Sequence, residues 1–188
     1  MRSTLILFLV AALLFTSPVS QLSQAQSSYP AEVTNFTEIK RFPAEVSGYR
    51  RGEVIAYAPG LSSYSVAYNR YDQQFQNAVT LYFGPRLKDT AAQLRDEKTA
   101  VINAHPDNRV VSERALKLAK EGRTYEATLV AFEYTDTFAG RRQKVRSFLL
   151  VTFSNQRRVK VRSTAPVSHG ARAEESLISL LDGVSWNI

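Results

Sequence analysis

Asn77-Ala78-Val79-Thr80-Leu81-Tyr82-Phe83 alternates between two chemistries. Val79, Leu81 and Phe83 fall on one side, and Thr80 and Tyr82 on the other. Side chains of a strand point alternately to its two faces, so this stretch predicts a strand with one face buried. Gly84-Pro85 follows as a stop. Two similar stretches precede it. Ser63 to Tyr71 sets Tyr64, Val66 and Tyr68 against Ser65 and Ala67, and Tyr49 to Ala58 runs up to the breaker Pro59-Gly60. Three period-two segments with short polar connections predict an antiparallel meander.

The period then changes. Ala91, Leu94, Val101 and Ile102 lie on one helical stripe, with Lys98 interrupting it. Asp89 is the expected N-cap, because its carboxylate can accept from a free N–H of the first turn. The helix should stop before Pro106, which disfavours helical geometry at His105. Gln93, Arg95, Asp96 and Glu97 are expected on its outer, solvated face.

Beyond it the pattern returns to strand. Ser112 to Lys120 is ambiguous, since Ala115-Leu116-Lys117-Leu118-Ala119 also suits a helix. Glu121-Gly122-Arg123 reads as a turn, Tyr125 to Thr135 as a strand, and Asp136 to Gly140 as a loop. Val145 to Ser154 and Arg158 to Thr164 follow as strands around a turn at Asn155-Gln156. A second amphipathic helix closes the chain, with Ala173, Leu177, Leu180, Leu181 and Val184 at helical spacing. Trp186 and Ile188 are expected to tuck in behind it. The predicted class is α+β, an antiparallel sheet flanked by helices.

The first residues address the chain. Arg2, the unbroken apolar run Leu5 to Phe15, and Ser23-Gln24-Ala25 follow the three-part plan of a secretory signal peptide over residues 1–25. The run is shorter than the about 20 residues a spanning helix needs, which disfavours the rival reading as an anchor. Residues 26–43 read as an extended arm or linker, and residues 44–188 as a single domain. Asn35-Phe36-Thr37 forms a glycosylation sequon. The expected location is the periplasm or the exterior of a bacterium. Cysteine is absent, which excludes thiolate chemistry, disulfides and Cys-based metal sites.

Several residues carry a resemblance. Phe42-Pro43, Gly48-Tyr49-Arg50-Arg51, Ser65-Val66-Ala67-Tyr68 and Val79 to Pro85 resemble an uncharacterised family of exported bacterial proteins. Those proteins show a Phe-Pro start, a strand ending in Tyr and a "TVYVYP"-like third strand. Here Gly84 intervenes before Pro85. Lys160 to Pro166 resembles the same family's "K-x-R-x-T-x-P" strand end. The element order is also similar to the PsbP-like fold, a central antiparallel sheet with helices on both sides. The resemblance implies architecture only and transfers no catalytic residues.

The formal net charge of +7 favours polyanionic neighbours. Arg158, Lys160 and Arg162 share one strand face opposite Val159 and Val161, and Arg141, Arg142, Lys144 and Arg146 enter the preceding strand. Such a row is either a solvated face, a charge-protected edge or an anion-binding strip. Tyrosines crowd the first three strands, where they serve as core and rim or as flat contact area beside arginine. The expected ligand site is Arg158, Lys160 and Arg162 for charge with Tyr64 and Tyr68 for stacking. Expected partners are an anionic glycan, a lipid head group of a membrane surface or an envelope protein, and export argues against nucleic acid. No catalytic residue, metal site or cofactor is predicted, because the two histidines have no ligand spacing and no serine elbow or Gly-rich phosphate loop is present. The function expected is a non-catalytic envelope-associated binding or accessory module. The alternatives are a secreted hydrolase using His169 or His105, and a docking subunit of a membrane complex.

Overall fold

Alternating residues build long strands here, and two-residue turns join several of them. The computed structural model describes residues 30–33, 41–154 and 157–186. In chain order these form β1 (Ala31–Glu32), β2 (Glu45–Val46), β3 (Tyr49–Ala56), β4 (Tyr64–Tyr71), β5 (Gln76–Pro85), α1 (Thr90–Ala104), β6 (Arg109–Lys120), β7 (Arg123–Phe138), β8 (Arg141–Ser154), β9 (Arg157–Pro166) and α2 (Gly170–Gly183). Ser47-Gly48, Glu121-Gly122 and Ala139-Gly140 each combine two residues at positive φ. That is the requirement of a type I′ hairpin turn, whose twist matches its strands. The signal-peptide segment, the sequon, the turn at Asn155-Gln156 and Ile188 lie outside the described residues.

All strands pair antiparallel in one sheet of order β1-β3-β4-β5-β9-β8-β7-β6, with β2 also on β3. Two meanders, β3-β4-β5 and β6-β7-β8-β9, therefore meet at the β5–β9 seam. There Leu81 faces Val161 and Thr80 faces Arg162. The chain crosses from one meander to the other through α1.

The first face buries Tyr64, Val66, Tyr68, Val79, Leu81, Phe83, Phe148, Leu150, Val159 and Val161 under Leu177, Leu180 and Leu181 of α2. Trp186 closes that layer, its Nε1–H donating to the Leu181 carbonyl at 3.0 Å. The second face holds a smaller cluster of Val130, Phe132, Tyr134, Val145, Leu149 and Val151, to which α1 adds Val101.

The expected α+β class, with helices flanking the sheet, is corrected by this arrangement. The described fold is dominated by its nine-stranded antiparallel sheet. The reason is strand length. Hairpin ladders carry the pairing well past the alternating segments, so β7 spans 16 residues and β8 spans 14, against a usual five or six. The predicted loop Asp136 to Gly140 is mostly strand, and only Ala139-Gly140 turns. Gly84 and Pro85 do not stop β5, because they pair with Arg158 and Arg157. The ambiguous stretch at 112–120 is strand, since β6 is laddered onto β7 from Arg109 to Lys120.

α1 starts and ends where the sequence places it. Asp89 accepts from the Ala92 N–H at 2.8 Å, and His105 leaves helical geometry at φ −134°, ψ 87°. Its buried stripe differs from expectation. Gln93, Glu97 and Val101 face inward, while Ile102 is 40% exposed. Gln93 and Glu97 are thus removed from the solvated face, and the sheet beneath explains why.

Candidate functional site: a basic row beneath the first helix

Period two sets Arg158, Lys160 and Arg162 on the second face of the sheet, as expected, while Val159 and Val161 go into the first-face core. Strand pairing gives each cation its neighbours. Arg158 lies between Gly84 and Phe153, Lys160 between Tyr82 and Val151, and Arg162 between Thr80 and Leu149. The other basic cluster lies apart. Arg141, Arg142 and Lys144 sit at the far end of β8, where Arg141 and Arg142 pair with Phe138 and Thr137.

α1 supplies the carboxylate this row needs. Glu97 is only 7% exposed. Its Oε1 pairs with Arg158 Nη1, and its Oε2 lies 2.9 Å from Lys160 Nζ. One turn earlier, Gln93 ties the helix to its incoming strand. It donates to the Pro85 carbonyl at 3.0 Å and accepts from the Leu87 N–H at 3.1 Å. Burial of a charge is costly unless it is paired, so the inward face of α1 carries polar groups where the sheet carries cations.

Gly84 has a specific part in this packing. A β-carbon there would sit 2.9 Å from Arg158 Nη2. The glycine that interrupts the "TVYVYP"-like pattern makes room for a guanidinium.

Arg162 is held without a carboxylate partner among the described residues. Its Nη2 donates to Ser147 Oγ at 2.8 Å and to the Tyr134 hydroxyl at 3.2 Å. Its buried Nε has no hydrogen-bond partner among the described residues, and neither does Arg158 Nε. The Tyr134 ring stacks on His105 at 3.6 Å between centroids, 15° from parallel. Lys160 Nζ also stands 4.4 Å from the centre of the Tyr82 ring, a cation–π distance.

Electrostatics reflect this crowding. Burial first, then the Arg158 and Arg162 cations, push the Lys160 ammonium down to about 8, even with Glu97 beside it. Burial also lowers the Arg158 guanidinium. Burial raises the Tyr82 hydroxyl. Glu97 pairs with two of the three cations and Arg162 with no carboxylate among the described residues, so the row carries excess positive charge.

Tyr64 and Tyr68 are not brought to it. Both are fully buried on the opposite face. Tyr64 stacks on Phe83 at 4.7 Å, and Tyr68 donates to the Pro43 carbonyl at 2.9 Å. These two tyrosines are core residues, which corrects the expected aromatic part of the site. The aromatic neighbours of the row are Tyr82, Tyr134 and Phe153. The alternation of 77–83 already separates Tyr82 from Val79, Leu81 and Phe83, which is the signal that identifies it.

His105 stacks on Tyr134, while His169 Nδ1 accepts from the Gln76 N–H at 3.4 Å. Neither ring is hydrogen-bonded to a serine or a carboxylate among the described residues, so a hydrolase triad has no geometric support there. No grouping of His, Asp and Glu suited to a metal ion occurs among the described residues. No described helix is long and apolar enough to cross a membrane. No protein-family model matches this chain, and no curated protein sequence compared with it does either.

Proposed function

We propose that the chain is a non-catalytic binding module of the bacterial cell envelope, taking an anionic ligand on the second face of its sheet. One observation carries the reading: Arg158, Lys160 and Arg162 stand in a row with Glu97 as the carboxylate that pairs with two of them, while Arg162 pairs with none among the described residues. Excess charge that is already partly desolvated favours an incoming anion, because less hydration remains to be displaced and less screening acts. Support for export rests on the sequence of residues 1–25. Tyr82 offers a flat surface beside the charges, suited to an acidic glycan.

The test is binding of a sulfated or uronate-rich glycan to the protein and to the Lys160→Gln/Arg162→Gln double variant, across a salt series. The expected result is salt-sensitive binding, about tenfold weaker in the double variant, or about 1.4 kcal/mol. Binding should also weaken as pH rises through about 8, where Lys160 loses its proton. No binding, or equal binding by the double variant, overturns the proposal.

A further inference from the structure

A cleft lies at the end of the sheet, away from the basic row. It encloses about 340 Å³ and is lined by Gln73, Gln76, Arg141, Gln143, Ser168 and His169. That volume lies within the range of small-molecule sites, about 300–1,000 Å³. Three distant segments build it: the β4–β5 turn, the β7–β8 turn and the passage from β9 into α2.

The walls are held before any ligand arrives. The fully buried Phe75 anchors the β4–β5 turn, with Arg172 and Arg70 over its ring at 4.6 and 5.3 Å. Asp72 tightens the same turn by accepting from the Gln74 N–H at 2.9 Å, and it also takes the Arg70 guanidinium. Gln143 donates to the Phe138 carbonyl at 3.0 Å, which fixes its amide across the β7–β8 turn.

The chemistry of the lining is one-sided. Arg141 has no carboxylate partner among the described residues, and no acidic side chain lines the cleft. His169 accepts at Nδ1, so the neutral ring carries its proton on Nε2 as a donor. Ser168 adds a hydroxyl. These donors suit an oxyanion, and arginine matches carboxylate and phosphate in a bidentate manner. The glutamine amides offer donors and acceptors together, the pattern that hydroxyl groups need.

We propose that this cleft binds the carboxylate or phosphate group of a small hydroxylated acid, with Arg141 as its anchor. The inference is separate from the β9 row and stands or falls independently of it.

The experiment is an amide NMR titration of the chain with glucuronate, glucose 6-phosphate, glucose and inorganic phosphate. The expected result is saturable shifts at the amides of Gln76, Ala139, Gln143 and Ser168 with the two sugar acids. Their dissociation constants should be about millimolar, and at least tenfold weaker for glucose and for phosphate alone. Arg141→Gln, at the exposed first residue of β8, should weaken the sugar acids about tenfold with the spectrum otherwise retained. Gln143→Ala provides a second variant, expected to weaken both. The proposal is overturned if those amides do not shift or if shifts appear at β9 alone. It is also overturned if glucose or bare phosphate binds as tightly as the acids, or if Arg141→Gln binds them unchanged.

Discussion

Glu97 ties α1 to β9 through Arg158 and Lys160. Its carboxylate is nearly buried and neutralises part of a row of three cations, so its removal should act on stability and on binding in opposite directions. Breaking a fully buried pair costs about 3–5 kcal/mol. Arg158 and Lys160 keep 18% and 22% of their side-chain surface, so Glu97→Gln is expected to cost about 2–3 kcal/mol. The same variant should bind polyanions more tightly, because the row loses its internal counter-charge. Urea denaturation and elution from an anionic-glycan column check the two halves. A variant that is destabilised but elutes earlier would contradict the account. The site was half legible in the sequence. Alternation tells which residues share a face, and so Arg158, Lys160 and Arg162 were identified as a set. It does not tell which face holds the larger core. Tyr64 and Tyr68 share theirs with Val66, and their partners Phe83 and Val79 belong to the core, whereas Tyr82 faces Lys160.

The two helices differ in what they contribute. α2 buries Ala173, Leu177, Leu180 and Leu181 in the larger core, whereas α1 buries two polar residues and Val101. Leu177 is fully buried, and Leu177→Ala should cost about 2–5 kcal/mol, the usual range for a buried leucine. Ile102→Ala on the open side of α1 should cost under about 1 kcal/mol, as exposed sites do. Paired denaturation curves test the contrast, and equal losses would mean that the helices are equivalent. Caps and breakers made the helix ends readable, because Asp89 and Pro106 act within a few residues of themselves. The stretch Ala115 to Ala119 was not readable. Its alanines, leucines and lysine favour a helix, and the ladder to β7 overrides that preference. Such an override comes from residues brought close only by folding.

At the scale of the whole molecule, protection from exchange should follow sheet order and not chain order. β5, β9 and β8 lie inside the sheet, whereas β6 and the short β1 and β2 lie at its margins. Hydrogen exchange should therefore be slowest at Leu81, Val161 and Leu150 and fastest along β6, whose residues are mostly exposed. Slow exchange along β6 would place a covering partner there. Sheet order was beyond the reach of local patterning, because each strand advertises its two faces and not its neighbours. The sheet-dominated outcome was missed for the same reason, since ladders lengthen strands past the alternating segments.

The seam between the two meanders has a consequence for how the chain is made. Asn77 of β5 and Ser163 of β9 are hydrogen-bonded across 86 residues of sequence. During synthesis the first meander is complete while its β5 edge has no neighbour, and it stays so until the last strand emerges. An unsatisfied strand edge is a template for wrong partners, and closing so long a loop slows folding. The nascent chain thus carries an unpaired β5 edge from the completion of Pro85 until Arg157 begins the last strand. A protein built this way gains from being kept extended until its final strand is available.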